Sequence, residues 1–221
     1  MASHSGDRPL GMVVPPAGSG VEIAPESPDV GARALSVAAR LLCGATTFFF
    51  MAFLFAYFYL RSIDQSAMWR PHHVKPDQAF GAAFIACIVL SVLAAILAGR
   101  SMKGGSRGWT APAIAAVALG LVAIALQCIG YTKQHFGPTD GAFASVFCAW
   151  TAFYLIAVLA TMYWLETQVA TELRARRAPA HGEGDIEDPD QLIAPGLDAA
   201  VFYWTFLGAI GVLMYVVLYL L

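Results

Sequence analysis

Charged residues fall in short clusters along this chain, and between the clusters run long apolar stretches. Five windows carry no Asp, Glu, Lys or Arg: residues 41–60, 78–99, 108–132, 141–165 and 199–221. A helix rises about 1.5 Å per residue, so roughly 20 apolar residues cross the ~30 Å hydrocarbon layer of a bilayer. Each window meets that length. Inside lipid every backbone N–H and C=O must be bonded within the protein, which leaves helices or a closed barrel. A barrel would show shorter segments of alternating polarity. The pattern therefore predicts an all-α fold, an integral membrane bundle of five transmembrane helices, with spans at about 36–60, 78–99, 109–132, 141–168 and 198–220.

Composition agrees. The mean hydropathy is +0.64, with 58% hydrophobic and 13% charged residues, against about a quarter charged in soluble domains. Residues 1–33 are rich in Pro, Gly, Ser and Ala, with no apolar core, and read as a disordered tail ahead of one membrane domain, 34–221. The inner linker 174–197 begins as a helical extension (TQVATELRARR) and turns into the acidic, Pro/Gly-broken run APAHGEGDIEDPDQLIAPG. That run is read as a solvated connector, with docking to a partner's basic surface as the alternative.

Basic residues set the orientation. Arg8, Arg33, Arg40, Arg100, Lys103, Arg107, Arg174, Arg176 and Arg177 fall on the N-terminal side. Arg61, Arg70, Lys75 and Lys133 fall on the other. The positive-inside rule then places the N-terminus in the cytoplasm and the C-terminus outside. Tyr57, Tyr59, Trp69, Trp109, Tyr163, Trp164, Tyr203, Trp204 and Tyr219 gather near the expected interfaces as an aromatic belt would.

The chemistry within the spans is sparse. Cys43, Cys87, Cys128 and Cys148 lie one per helix in the first four helices, without CxxC spacing, and neither a disulfide nor a metal cluster is expected. All five histidines lie outside the uncharged windows, whereas haem or copper in a helical bundle takes His from the helices themselves. His72 and His73 are adjacent, point apart and have no third ligand nearby, so they read as part of a loop pinned by Pro71 and Pro76. No ionisable residue lies at bilayer depth, which argues against an ion-coupled transporter acting alone. Thr46, Thr47, Gln127, Tyr131, Ser145, Thr151, Tyr154 and Thr205 are the polar groups expected to bond across helices or back to their own backbone. Ala116/Gly120 and Ala95/Gly99 permit close packing, and Thr205, Gly208 and Gly211 suggest a small-residue seam on the last helix where a partner could approach.

The closing stretch LDAAVFYWTFLGAIGVLMYVVLYL resembles the last helix of cytochrome c oxidase subunit III, with Ala200, Tyr203, Trp204, Phe206, Tyr215 and Tyr219 in register. Three other stretches resemble that family in the same order. TTFFFMAFLFAYFYLRS, containing Thr46 and Phe49, is similar to its aromatic helix. LQCIGYT matches at Gln127 and Tyr131. FGPTDGAFASVFCAWTAFYLIAV matches at Asp140, Gly141, Ser145, Phe147, Thr151 and Phe153. Six positions where the family carries an ionisable side chain are neutral here: Thr46, Gly130, Tyr154, Ala157, Thr205 and Gly208.

The resemblance implies a subunit III, in the short five-helix bacterial form, of a haem-copper terminal oxidase in a bacterial inner membrane. Such a chain has no catalytic, metal or cofactor-binding residue of its own. It partners oxidase subunits I and II, which carry haem and copper, in a hetero-oligomer that reduces oxygen to water and pumps protons. Membrane lipid is a further expected contact and phospholipid a candidate ligand, although the family's lipid-holding cleft requires two helices without counterparts here. No nucleic-acid partner is expected. With Thr46 in place of the family's buried carboxylate, the chain would stabilise the core without relaying protons. An accessory protein of nitric-oxide reductase and a free-standing small transporter or scaffold remain the alternatives.

Overall fold

The computed structural model describes residues 28–64, 69–105, 107–177 and 189–221. Among the described residues five α-helices form: α1 (Pro28–Ser62), α2 (Gln78–Lys103), α3 (Thr110–Lys133), α4 (Ala142–Arg177) and α5 (Pro189–Tyr215). A 3₁₀ turn, Arg107–Trp109, leads into α3, and a π-helical turn, Val216–Leu220, extends α5. All five helices are long and apolar enough to cross a membrane, and the protein is a multi-pass membrane protein. The starts of α1, α3 and α5 and the ends of α2 and α4 define one end of the bundle, here termed proximal. The opposite end is distal.

Three helices run beyond their apolar windows. α1 begins at Pro28, so residues 28–33 are helical rather than part of a tail. Pro suits a first helical position, where its missing N–H would have no partner anyway. α4 continues to Arg177, the extension expected from TQVATELRARR. α5 begins at Pro189 and takes in Pro195, so residues 189–197 are helix rather than linker. The tail 1–27 and the acidic run 178–188 lie outside the described residues.

α5 packs against α1, α2 and α4, while α2 pairs with α3, α3 with α4, and α1 with α4 as well as α5. The core holds Trp150, Tyr154, Phe143 and Phe147 of α4, Phe84 and Ile88 of α2, and Trp204, Leu207 and Met214 of α5. Small residues let these backbones approach. A Cβ on Gly208 would stand 2.7 Å from Val92 Cγ2 of α2, and one on Gly120 of α3 would run into the Met162 side chain of α4. In lipid there is no hydrophobic drive between helices, so such close packing and cross-helix hydrogen bonds hold the bundle.

Both ends are tied. At the distal end Arg61 donates to the Leu221 carbonyl and Gln78 to the Tyr219 carbonyl, each at 3.3 Å, which anchors the C-terminus on α1 and α2. At the proximal end Lys103 and Asp198 form a salt bridge of 2.8 Å between α2 and α5.

Candidate functional site

The polar groups that bond from one span to another fall into three clusters, each joining different helices. The first joins α1 to α5. Thr46 Oγ1 lies 3.0 Å from Tyr203 Oη, and either hydroxyl can donate. Thr46 is half-buried and Tyr203 buried, with Trp164 and Phe206 beside the tyrosine ring. Thr47 turns back to the Cys43 carbonyl at 2.8 Å, the usual answer of a helical Thr to an apolar surround.

The second cluster ties α5 to its other neighbours. Trp204 Nε1 donates to Ser91 Oγ at 3.1 Å, and Ser91 Oγ donates to the Ala116 carbonyl at 2.6 Å, a relay across α5, α2 and α3. Trp204 and Ser91 are both fully buried. Tyr154 Oη donates to the Leu207 carbonyl at 3.0 Å and joins α4 to α5. Ala157, the other neutral replacement on α4, packs against the core a turn away.

The third cluster sits toward the distal end. Tyr131 Oη donates to Thr151 Oγ1 at 2.6 Å, and Thr151 Oγ1 donates in turn to the Phe147 carbonyl at 2.7 Å. Gln127 is buried one turn before Tyr131. The loop into α4 is closed on itself: Asp140 accepts from the Gly137 N–H at 2.7 Å, and Ser145 Oγ donates to the Pro138 carbonyl at 2.5 Å and the Gly141 carbonyl at 3.1 Å. Gly141 has φ 137°, a conformation that a residue with a Cβ rarely adopts. The resemblance-matched Asp140, Gly141 and Ser145 thus shape one turn. The α1–α2 loop docks there through the Phe143 N–H on the Trp69 carbonyl at 3.1 Å and the Arg70 guanidinium 4.6 Å over the Phe143 ring.

One expected feature behaves differently from the sequence reading. Thr205, Gly208 and Gly211 do not make one seam. Thr205 is exposed and bonds back to the Val201 carbonyl at 2.8 Å, while Gly208 meets Val92 of α2 and Gly211 meets Tyr154 of α4. Steps of three residues turn 300° around a helix, so such a row winds off any single face. The glycines therefore serve packing within this chain. Phe49 lies on the outer side of the aromatic helix, 44% exposed, with its ring edge-on to Phe50, Phe53 and Phe153.

Sequence reasoning passed over Ser91 and Glu172. Ser91 is a single hydroxyl in an uncharged run, and its position in mid-span was the available signal. Glu172, 5% exposed, is buried in the α4 extension. Its membrane-proximal place near Arg174 hid it among linker charges.

What this arrangement can do chemically is narrow. Its hydroxyls, indole and amide fasten helices. Haem or copper between helices would need imidazoles from the spans, and the spans hold none. Among the described residues no group of three or more His, Cys, Asp or Glu converges as metal ligands would. These residues do not fit haem or copper.

The family model described as "Cytochrome c oxidase subunit III" matches residues 29–221. Among curated relatives, the chain is similar to the cytochrome c oxidase subunit 3 of Formosania lacustris, 25% identical over 186 residues that cover 81% of this chain and 66% of the relative. The subunit 3 of Branchiostoma lanceolatum is 25% identical over 78% of this chain and 63% of its own length. That of Marchantia polymorpha is 26% identical over 77% and 62%. The chain thus spans less than two thirds of the length of these relatives.

Proposed function

Because the chain belongs to the cytochrome c oxidase subunit III family, we propose that it is the non-catalytic subunit III of a bacterial haem-copper terminal oxidase. In this reading it binds the core subunits I and II in the inner membrane and stabilises them while they reduce oxygen to water and pump protons. The N-terminus lies in the cytoplasm and the C-terminus outside, as the basic residues indicate.

One observation carries the structural role. The polar clusters joining the spans consist of neutral side chains, and these are spent on helix-to-helix or back-to-backbone bonds: Thr46 with Tyr203, Trp204 with Ser91, Tyr154 with Leu207, Tyr131 with Thr151. Proton paths through membranes are normally marked by acids, bases or His chains. Thr46 offers a hydroxyl already engaged across two helices, which supports fastening rather than relay.

The same neutral positions favour a second reading, an accessory protein of nitric-oxide reductase. One experiment separates the two: affinity purification of the tagged full chain from its native membrane in mild detergent, with mass spectrometry of what co-purifies. Oxidase subunits I and II in constant ratio support the first reading. Reductase subunits instead would replace it with the second, and a chain recovered alone would leave a free-standing scaffold or transporter.

A further inference from the structure

At the distal end a pocket of about 300 Å³ opens between the start of α2, the end of α3 and the C-terminal turn after α5. That is room enough for an acidic side chain with bridging water. Its mouth stays open because α3 carries Gly130 there. A Cβ on that residue would reach no neighbouring helix closer than Phe80 Cβ, 3.9 Å away. Lys75, Lys133 and His135 stand exposed at the rim, while Gln127, Phe147 and Tyr219 form the buried floor.

The charges of this pocket do not cancel. Asp77 caps α2, its Oδ1 accepting from the Ala79 N–H at 2.8 Å and the Phe80 N–H at 3.4 Å. Against that one carboxylate stand two amines, and among the described residues neither Lys75 nor Lys133 forms a salt bridge. Lys133 Nζ lies 4.9 Å over the Phe80 ring, which steadies the cation and leaves its N–H groups free to donate. Tyr219 is an independent sign. It is 8% exposed, and its ring packs on Phe147 and Tyr215, yet its hydroxyl makes no hydrogen bond among the described residues. A buried hydroxyl without a partner costs free energy, and this one belongs to a pocket rimmed by unpaired cations. The complement of such a set is a carboxylate, which accepts from ammonium and hydroxyl groups at once.

We infer that this pocket receives an acidic side chain, Asp or Glu, from a neighbouring subunit of the complex. Lys75 and Lys133 pair with its carboxylate, and the Tyr219 hydroxyl donates to it from the floor. The exposed rim favours a tethered acid over a free anion. Exposed ion pairs are weak and screened by salt, so a free anion leaves quickly. An acid carried on a docked chain is held at high effective concentration by the rest of the interface. Lys133 ends α3, and Lys75 lies two residues before the cap of α2, so the acid comes from the partner's distal edge. This inference rests on the reading of the chain as a subunit of a larger membrane complex and gives that reading a point of contact.

The test is zero-length cross-linking with a water-soluble carbodiimide in open fragments of the native membrane, read by mass spectrometry. The reagent joins a Lys amine to a carboxylate in contact with it, and Lys103 with Asp198, 2.8 Å apart, is the internal control. Lys75 or Lys133 should link to one defined acid of an oxidase core subunit. If the control link forms while Lys75 and Lys133 stay unlinked, link only to Asp77, or link to many unrelated proteins, the inference is overturned. One defined acid on a nitric-oxide reductase subunit would keep the occupant of the pocket and replace the oxidase reading. Core subunits that co-purify without the link would leave the subunit role standing and remove this contact. Tyr219→Phe gives a second measurement. It should raise the loss of the neighbouring subunit in a salt wash about tenfold, the scale of one hydrogen bond to a charged acceptor. Thermal unfolding of the isolated chain should stay unchanged, since the hydroxyl has no partner there. Equal loss from the variant and the wild type would overturn the inference as well.

Discussion

α1 and α5 are almost equally apolar, yet half of the most apolar window of α5 (50%) is buried, against 17% for α1. The difference lies in what each helix offers its neighbours. α5 presents Gly208 and Gly211 where backbones approach, and places Trp204 on Ser91 and Tyr203 on Thr46. α1 presents rings to the outside: Phe48, Phe55 and Tyr59 are 83%, 70% and 52% exposed. Within a membrane, apolarity brings a helix into the bilayer, while small residues and polar fasteners decide whether it becomes the centre. α5 holds this bundle together. α1 leaves most of its surface for lipid or another subunit.

The sharpest way to break that contrast is to truncate a large side chain on each helix. Trp204→Ala should destabilise the isolated chain by on the order of 3 kcal/mol, through lost packing and the lost hydrogen bond to Ser91. Phe48→Ala should move it by less than about 0.5 kcal/mol. Thermal unfolding of the detergent-solubilised chain, followed by aggregation or circular dichroism, gives both values. Equal losses would mean that α1 is as central as α5.

Next in size is Gly208→Leu. A Cβ there already stands 2.7 Å from Val92 Cγ2, so the added bulk should force α5 off α2 at a cost of about 1–3 kcal/mol. The lowered stability should show in the chain alone, before any partner is added. A stable chain that merely fails to assemble would return Gly208 to a partner-facing seam.

Smaller again is the α1–α5 fastener. Thr46→Val and Tyr203→Phe should each cost about 0.6 kcal/mol, the usual scale of a hydrogen bond between membrane helices. In a double-mutant cycle the two losses should not add, since each removes the same bond. Full additivity would mean that the two hydroxyls are near each other without being coupled.

The spans were legible in the sequence because hydrocarbon tolerates no free charge, and runs between charges measure its thickness. Helix ends were less so. Pro28 and Pro189 start helices in segments that are polar or Pro/Gly-broken, because backbone bonding continues into water where hydropathy is silent. The rank of α5 over α1 could not be read from apolarity at all. Thr46, Tyr131, Thr151 and Tyr154 were singled out correctly as polar groups that bond across helices or back to the backbone, because a hydroxyl in lipid needs a partner. Ser91 follows the same rule but stands alone among Val and Leu, where one hydroxyl scarcely changes the pattern. The row Thr205, Gly208, Gly211 misled because a three-residue step drifts around the helix, leaving Thr205 outside and Gly211 inside.

The neutrality of these fasteners is the central claim, and carbodiimide labelling of the purified complex tests it most directly. A carbodiimide attacks a protonated acid buried away from water. From Val30 to Ser62, α1 contains no Asp or Glu, and Thr46 cannot be labelled. The account predicts no modified residue in that stretch and proton pumping that does not depend on labelling this chain. Removing the subunit should weaken the complex more than its initial turnover. Stoichiometric labelling of an acid elsewhere in the chain, Glu172 or Asp198, with matching loss of pumping, would contradict the account and place a proton path through this subunit.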